Sequence, residues 1–174
     1  GVTEDSSQAV AWFRKAADQG DSSAQYMLGM KYGQGRGVPH NLTEAISWIR
    51  KSAEQGRTHA QFKLGASYYS GEGVPKDYKE ANAWYRKAAE LGHAEAQFEL
   101  GRMILKGEGT IKKPSEALSW FTKAAEQGHI PAQHALGVIY YTGDGGPKDH
   151  VLAASWYRKA AVQGNANSQY MTGL

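Results

Sequence analysis

The chain has 174 residues and no cysteine, and 20 Lys and Arg against 17 Asp and Glu leave a formal net charge of +3. The missing cysteines exclude disulfides and thiolate metal sites, and no apolar run approaches the ~18 residues a membrane-spanning helix needs. So small a charge excess does not argue for nucleic acid.

Self-similarity dominates what remains. Trp12, Trp48, Trp84, Trp120 and Trp156 stand 36 residues apart, and Gly20, Gly56, Gly92, Gly128 and Gly164 keep the same register. A fixed period of this length marks a repeat array, in which each unit buries its apolar face against its neighbours. The expectation is one all-α array of 36-residue repeats over 1–174. It comprises a B helix over 5–19, repeats over 21–56, 57–92, 93–128 and 129–164, and a partial unit over 165–174. No signal peptide is visible. A start at Gly1 without methionine and a stop at Leu174 inside a repeat suggest a piece of something longer.

In chain order, the first B helix is expected from near Asp5 to Gly20. An A helix follows from Ser22 to Gln34, then a glycine loop, Gly35 to Pro39, and the next B helix from Asn41. The cycle restarts at Thr58, Ala94 and Ile130, and a last A helix begins near Ala166. Asp5, Asn41, Asp77 and Asp149 precede the B helices, where a short side-chain acceptor satisfies orphan backbone N–H groups. Gln8, Glu44 and Glu80 three residues on give capping-box spacing. Lys113 replaces the cap in one unit, and Pro114 presets the first helical φ there. Glycine after each helix fits a left-handed stop.

At 100° per residue, Ala81, Trp84, Tyr85, Ala88 and Ala89 form one stripe of a B helix. Ala96, Gln97, Leu100, Gly101 and Ile104 form the matching stripe of an A helix. The recurring Gly29, Gly65, Gly101 and Gly137 lie inside A helices, where glycine costs ~1 kcal/mol relative to alanine. Close approach of a neighbouring helix offsets that cost, with the tryptophan indole expected to fill the space.

Repeated positions describe the scaffold, so varying positions carry any function. Four A-helix columns at i, i+4, i+7 and i+11 lie opposite the packed stripe. They hold Ser23, Met27, Met30 and Gln34, then His59, Lys63, Ala66 and Ser70. The next units place Glu95, Glu99, Arg102 and Lys106, then Pro131, Ala135, Val138 and Thr142 there. Helices stacked ~8–10 Å apart would lay these side by side as a groove, Met-rich at one end, charged in the middle and apolar at the other. The alternative is a plain solvent face in which Glu99 pairs with Arg102 and Lys106.

Other patterns have simpler readings. Lys15, Lys51, Lys87, Lys123 and Lys159 form a basic ladder, but cations near helix C-termini complement the macrodipole. The tryptophans keep alanine's helical register and belong to the core. Tyr69 and Tyr141 lie at the border of the packed stripe, where Gly33 and Leu105 replace them in other units. The histidines at 40, 59, 93, 129, 134 and 150 make no ligand spacing. The Gly-x-Gly loops lack the Lys-Ser/Thr of a phosphate loop, and no Ser/His/Asp arrangement suggests itself. No metal, cofactor or catalytic residue is assigned.

The segments Ala60-Gln-Phe-Lys-Leu-Gly65, Gly71-Glu-Gly-Val-Pro-Lys-Asp77 and Trp84-Tyr-Arg-Lys-Ala-Ala89 carry a specific resemblance. Their pattern resembles the Sel-one-like repeat, a relative of the tetratricopeptide repeat, and it covers essentially the whole chain. The resemblance implies a right-handed superhelical solenoid of antiparallel helix pairs, with A helices on the concave side. It also implies a non-enzymatic protein that binds a protein or peptide partner, in a bacterial envelope or secreted setting. The matches are weakest at Ile111, Gly146 and His134. A second reading is a structural spacer, or an array associating end to end through open repeat ends.

Overall fold

The computed structural model describes residues 2–173, with side chains described from residue 6. Every regular element among them is a helix. The B helices are α1 (Val2–Asp18), α3 (Leu42–Glu54), α5 (Tyr78–Glu90), α7 (Pro114–Glu126) and α9 (His150–Val162). The A helices are α2 (Ser22–Gln34), α4 (Thr58–Ser70), α6 (Ala94–Lys106), α8 (Ile130–Thr142) and α10 (Ala166–Thr172). Three residues join each B helix to the A helix after it, and seven join each A helix to the next B helix. The chain divides into two compact units, Gly1–Ala88 and Ala89–Leu174. In the first, α2 packs on α1 and α3, and α3 on α4; in the second, α7 packs on α6 and α8, and α9 on α8 and α10.

The caps follow the expected residues with one displacement. Asn41 accepts the Glu44 N–H at 3.0 Å, Asp77 the Glu80 N–H at 3.1 Å and Asp149 the Leu152 N–H at 2.9 Å. Lys113 supplies no side-chain cap, and Pro114 opens α7. The expected cap at position 5 is not one, because α1 already begins at Val2. No glycine or proline between residues 2 and 5 stops the helix from running through, and the Asp5 side chain lies outside the described residues.

The acids of the capping boxes serve a different donor from the one expected. Glu44 accepts from the Trp48 indole N–H at 2.8 Å, and Glu80 from that of Trp84 at 3.1 Å. A buried indole N–H needs an acceptor, and one helical turn away the carboxylate supplies it. Leu152 stands at this position in the last full unit.

The helix joint also differs from expectation. The atoms crowding the mid-helix glycines belong to the residue after the tryptophan, not to the indole. A Cβ on Gly65 would lie 2.8 Å from the Tyr85 ring, one on Gly101 3.0 Å from Phe121, and one on Gly137 2.5 Å from Tyr157. At Gly29 the neighbours are the Ile49 side chain at 2.7 Å and the Ala45 carbonyl at 2.8 Å. One residue is a 100° rotation on a helix, so the two neighbours meet different residues of the preceding pair. Trp48 packs with Val10, Ala17, Ala24 and Leu28 of the preceding pair, and Trp84 with Ile46, Ile49, Ala53, Ala60 and Leu64. No pair precedes Trp12 among the described residues, and it is 69% exposed where the other four tryptophans are buried. The expectation of a core role therefore fails at Trp12 alone.

Glycine has a second, purely conformational use. Gly56 has φ +86° and nothing within 4 Å of a built Cβ, so it is there to turn the chain after α3.

The buried glutamines complete the joints. Gln25, Gln61, Gln97 and Gln133 donate to the carbonyls of Ala17, Ala53, Ala89 and Ala125 at 3.0–3.2 Å, which also accept the N–H groups of Gly20, Gly56, Gly92 and Gly128 at the B-helix C-termini. Gln55, Gln127 and Gln163 then donate to Gln25, Gln97 and Gln133 at 2.7–2.8 Å. Leu91 occupies this donor column in the remaining unit, and Gln61 Oε1 is buried without a partner.

Candidate functional site

The packed stripe fixes which A-helix positions stay free. Ala24, Gln25, Leu28 and Gly29 of α2 are buried, as are Ala96, Gln97, Leu100, Gly101 and Ile104 of α6. The varying columns fall on the other side of each helix, and none of their residues is buried. In the first unit, Met27 is 38% exposed, Met30, Lys63 and Ala66 are half-buried, and Gln34 and His59 are exposed. In the second unit, Glu95, Lys106, Val138 and Thr142 are exposed, and Glu99, Arg102 and Ala135 are half-buried.

The first unit has a cleft beside these columns. Met30, Gln34 and Lys63 stand at its rim, Ala45, Ile46 and Ile49 form its apolar floor, and its volume is about 130 Å³. Leu42, Ser67 and Glu72 complete the walls. Sequence reasoning found the rim and missed the floor, because the floor residues belong to α3. The available signals were Gly33, which also lines the cleft and interrupts the column of Tyr69, Leu105 and Tyr141, and Ile49, which stands among Phe13, Tyr85, Phe121 and Tyr157 in its column.

The second unit presents charge on the same columns. Arg102 pairs with Glu99 at 2.7 Å, as expected of a solvent face. Lys106 reaches Glu108 at 4.0 Å. His129 caps α8, its Nδ1 accepting the Ala132 N–H at 3.3 Å, and its ring lies 5.1 Å from that of Phe98. Burial holds the His129 imidazole below its ordinary pKa, against the raising pull of Glu95 and Glu99. Burial likewise lowers His134, whose Nδ1 lies 2.8 Å from the Ser168 hydroxyl.

A capping imidazole can accept only when neutral, so acid opposes this fold. The folded-state values of both histidines lie below the ordinary 6.5. Their contribution is present above that value and is lost as pH falls through the folded values. The melting midpoint should drop between pH 7.5 and 5. His129→Asn, which keeps a neutral acceptor at the cap, should reduce the drop; an equal drop in both proteins would refute this role.

The basic ladder is largely absorbed by the scaffold. Lys51, Lys87, Lys123 and Lys159 lie 3.8–4.1 Å from the ring centroids of Trp48, Trp84, Trp120 and Trp156. Arg14 and Arg50 donate to the hydroxyls of Tyr32 and Tyr68. His93 is a cap like His129, accepting the Ala96 N–H. Among the described residues no group of three or more metal-ligating side chains occurs, and no helix is long and apolar enough to cross a membrane.

Helix pairs recurring with a 36-residue period, each A-helix glycine meeting Ile49, Tyr85, Phe121 or Tyr157 of the next B helix, define a helical repeat array. The Sel1 repeat model matches residues 1–21, 22–56, 58–93, 94–129 and 130–165, and the chain belongs to the Sel1-repeat family. Proteins of this family are generally protein-interaction scaffolds. A protective antigen of uropathogenic Escherichia coli strains, displaying an SLR fold, is 43% identical with a TM-score of 0.89 over 95% of this chain. A Sel1 repeat protein from Oxalobacter formigenes is 41% identical with a TM-score of 0.84 over 88% of this chain. The chain spans 37% of the first and 63% of the second. Cysteine rich protein B of Helicobacter pylori, 23% identical with a TM-score of 0.60, covers 76% of this chain and is matched over 95% of its own length; it shares the fold. A search of curated protein sequences finds no match.

Proposed function

We propose that the protein binds a peptide or protein partner along the A-helix face through Met27, Met30, Lys63, Glu99, Arg102, Lys106 and Val138. The observation that carries this reading is the cleft of the first unit. Three of the varying residues, Met30, Gln34 and Lys63, stand at the rim of an apolar floor. Apolar anchors supply most of the affinity at such surfaces, and charged neighbours set register. Methionine adapts to differently shaped guests.

The test is a variant altered on this face alone, Met30→Ser, Lys63→Ser, Arg102→Ser and Val138→Ser together. All four side chains are outside the core, so helicity should be kept and partner capture lost. Capture that survives in a folded variant would place binding on the loops or the B helices.

A second reading is a spacer or self-associating array. A mass that rises with concentration in light scattering would support it.

A further inference from the structure

Two residues lining the cleft of the first unit differ from their counterparts: Gly33 on the A helix, and Ile49, where the other repeats carry Phe or Tyr. At this A-helix position two repeats carry tyrosine, and each ring packs on the first residue of the following B helix. Tyr69 lies 5.2 Å from Tyr78, and Tyr141 lies 5.2 Å from His150, between ring centroids. In the first repeat the position is Gly33, and the first residue of the following helix is Leu42. A Cβ on Gly33 would meet only the Ala45 methyl, at 3.6 Å, which is ordinary contact. Gly33 therefore differs from Gly29 one turn earlier, where close packing demands glycine.

We infer that this cleft receives one aromatic side chain of the partner, seated where other repeats place their own tyrosine; the inference rests on the A-helix-face reading. Size agrees. The cleft holds about 130 Å³, and an engineered apolar cavity of roughly 150 Å³ binds benzene. Chemistry agrees as well. Ile46 and Ile49 are buried below, and Lys63 and Glu72 stand at the edge. Neither charge has an ion pair or side-chain hydrogen bond among the described residues. An ammonium beside a ring face is attracted to it, as this chain already shows with Lys51 over Trp48 at 3.9 Å. The carboxylate of Glu72 would accept from a phenol hydroxyl, as an aromatic residue with a polar tip requires.

The experiment needs no identified partner. N-acetyl-tyrosinamide, N-acetyl-phenylalaninamide and N-acetyl-alaninamide are titrated into the whole chain, and the Met30 methyl and Gly33 amide are followed by NMR. The two aromatic amides should give saturable shifts there, about tenfold tighter than the alanine amide because a ring buries more apolar area. Gly33→Ala leaves most of the space and should bind as the wild type does. Gly33→Tyr supplies the missing ring and should abolish the shifts while raising the melting midpoint. Equal response to all three amides, no saturable response, or aromatic binding that survives a folded Gly33→Tyr would each overturn the inference. If Gly33→Tyr does not fold, persistence in Gly33→Ala still decides, since loss of binding there contradicts the geometry. The two readings fail separately. A partner that is lost by the four-site variant but binds Gly33→Tyr as it binds wild type overturns the aromatic pocket and leaves the face standing. A partner that binds both variants overturns the face.

Discussion

Trp84→Ala should cost the fold ~3–5 kcal/mol, lowering the melting midpoint by roughly 10 °C in a chain of this size. The indole is 7% exposed and packs on Ile46, Ile49, Ala53, Ala60 and Leu64. Its removal opens a cavity between α5 and the preceding helix pair, and it strips Glu80 of its indole donor and Lys87 of its ring. The same substitution at Trp12 should change stability by no more than ~0.5 kcal/mol, as at other exposed positions. Trp12 shares the sequence register of Trp84 but is 69% exposed. Thermal unfolding of the two variants separates packing from register. Similar losses at both positions would mean that the indole acts within its own repeat.

Gly101→Leu should destabilise by ~2 kcal/mol or more, against local propensity. Leucine is a better helix former than glycine by about 0.8 kcal/mol. The joint outweighs that gain, because the first added carbon would already meet the Phe121 ring at 3.0 Å and the Ala117 carbonyl at 3.2 Å. Overpacking a close-fitting core typically costs ~1–3 kcal/mol, and leucine adds three more carbons beyond the Cβ. A midpoint that is unchanged or raised would remove the steric account of this glycine column. Phe121→Ala combined with Gly101→Leu should recover part of the loss, since the ring is what the new side chain strikes.

The helices were legible in the sequence because each boundary has a local cause. Asn41, Asp77 and Asp149 cap where they were expected to, and the glycines stop the helices where they were expected to. Starts at Thr58, Ala94, Ile130 and Ala166 and the span Ser22–Gln34 match the periodicity. Position 5 differed because a cap-type residue is a cap only where something upstream prevents helix. The identity of the joint's filler was not legible. Trp84 and Tyr85 are neighbours in one apolar stripe, and only the packing of three helices shows that Tyr85 meets Gly65 while Trp84 meets Ile46, Ile49, Ala53, Ala60 and Leu64. The same limit hid the indole acceptors: spacing puts Glu80 three residues after Asp77 and four before Trp84, and both pairings suit a helix.

The candidate face was half legible. Variation among repeats picked out Met30, Gln34 and Lys63, which do border the cleft. It did not point to Ile46 and Ile49 beneath them, because those residues lie on the apolar stripe of a B helix, although Ile49 stands where other repeats carry Phe13, Tyr85, Phe121 and Tyr157. Gly33 was visible as a departure from its column, but a missing side chain becomes a cavity only when nothing else fills it.

Photo-cross-linking tests the claim that the A helices carry the binding face most directly. A benzophenone side chain placed at Gln34 or Thr142, both exposed on A helices, should form adducts with the partner. The same group at Ser47 or Ser119, exposed on B helices, should form none. Adducts from Ser47 or Ser119 with none from Gln34 or Thr142 would contradict the account.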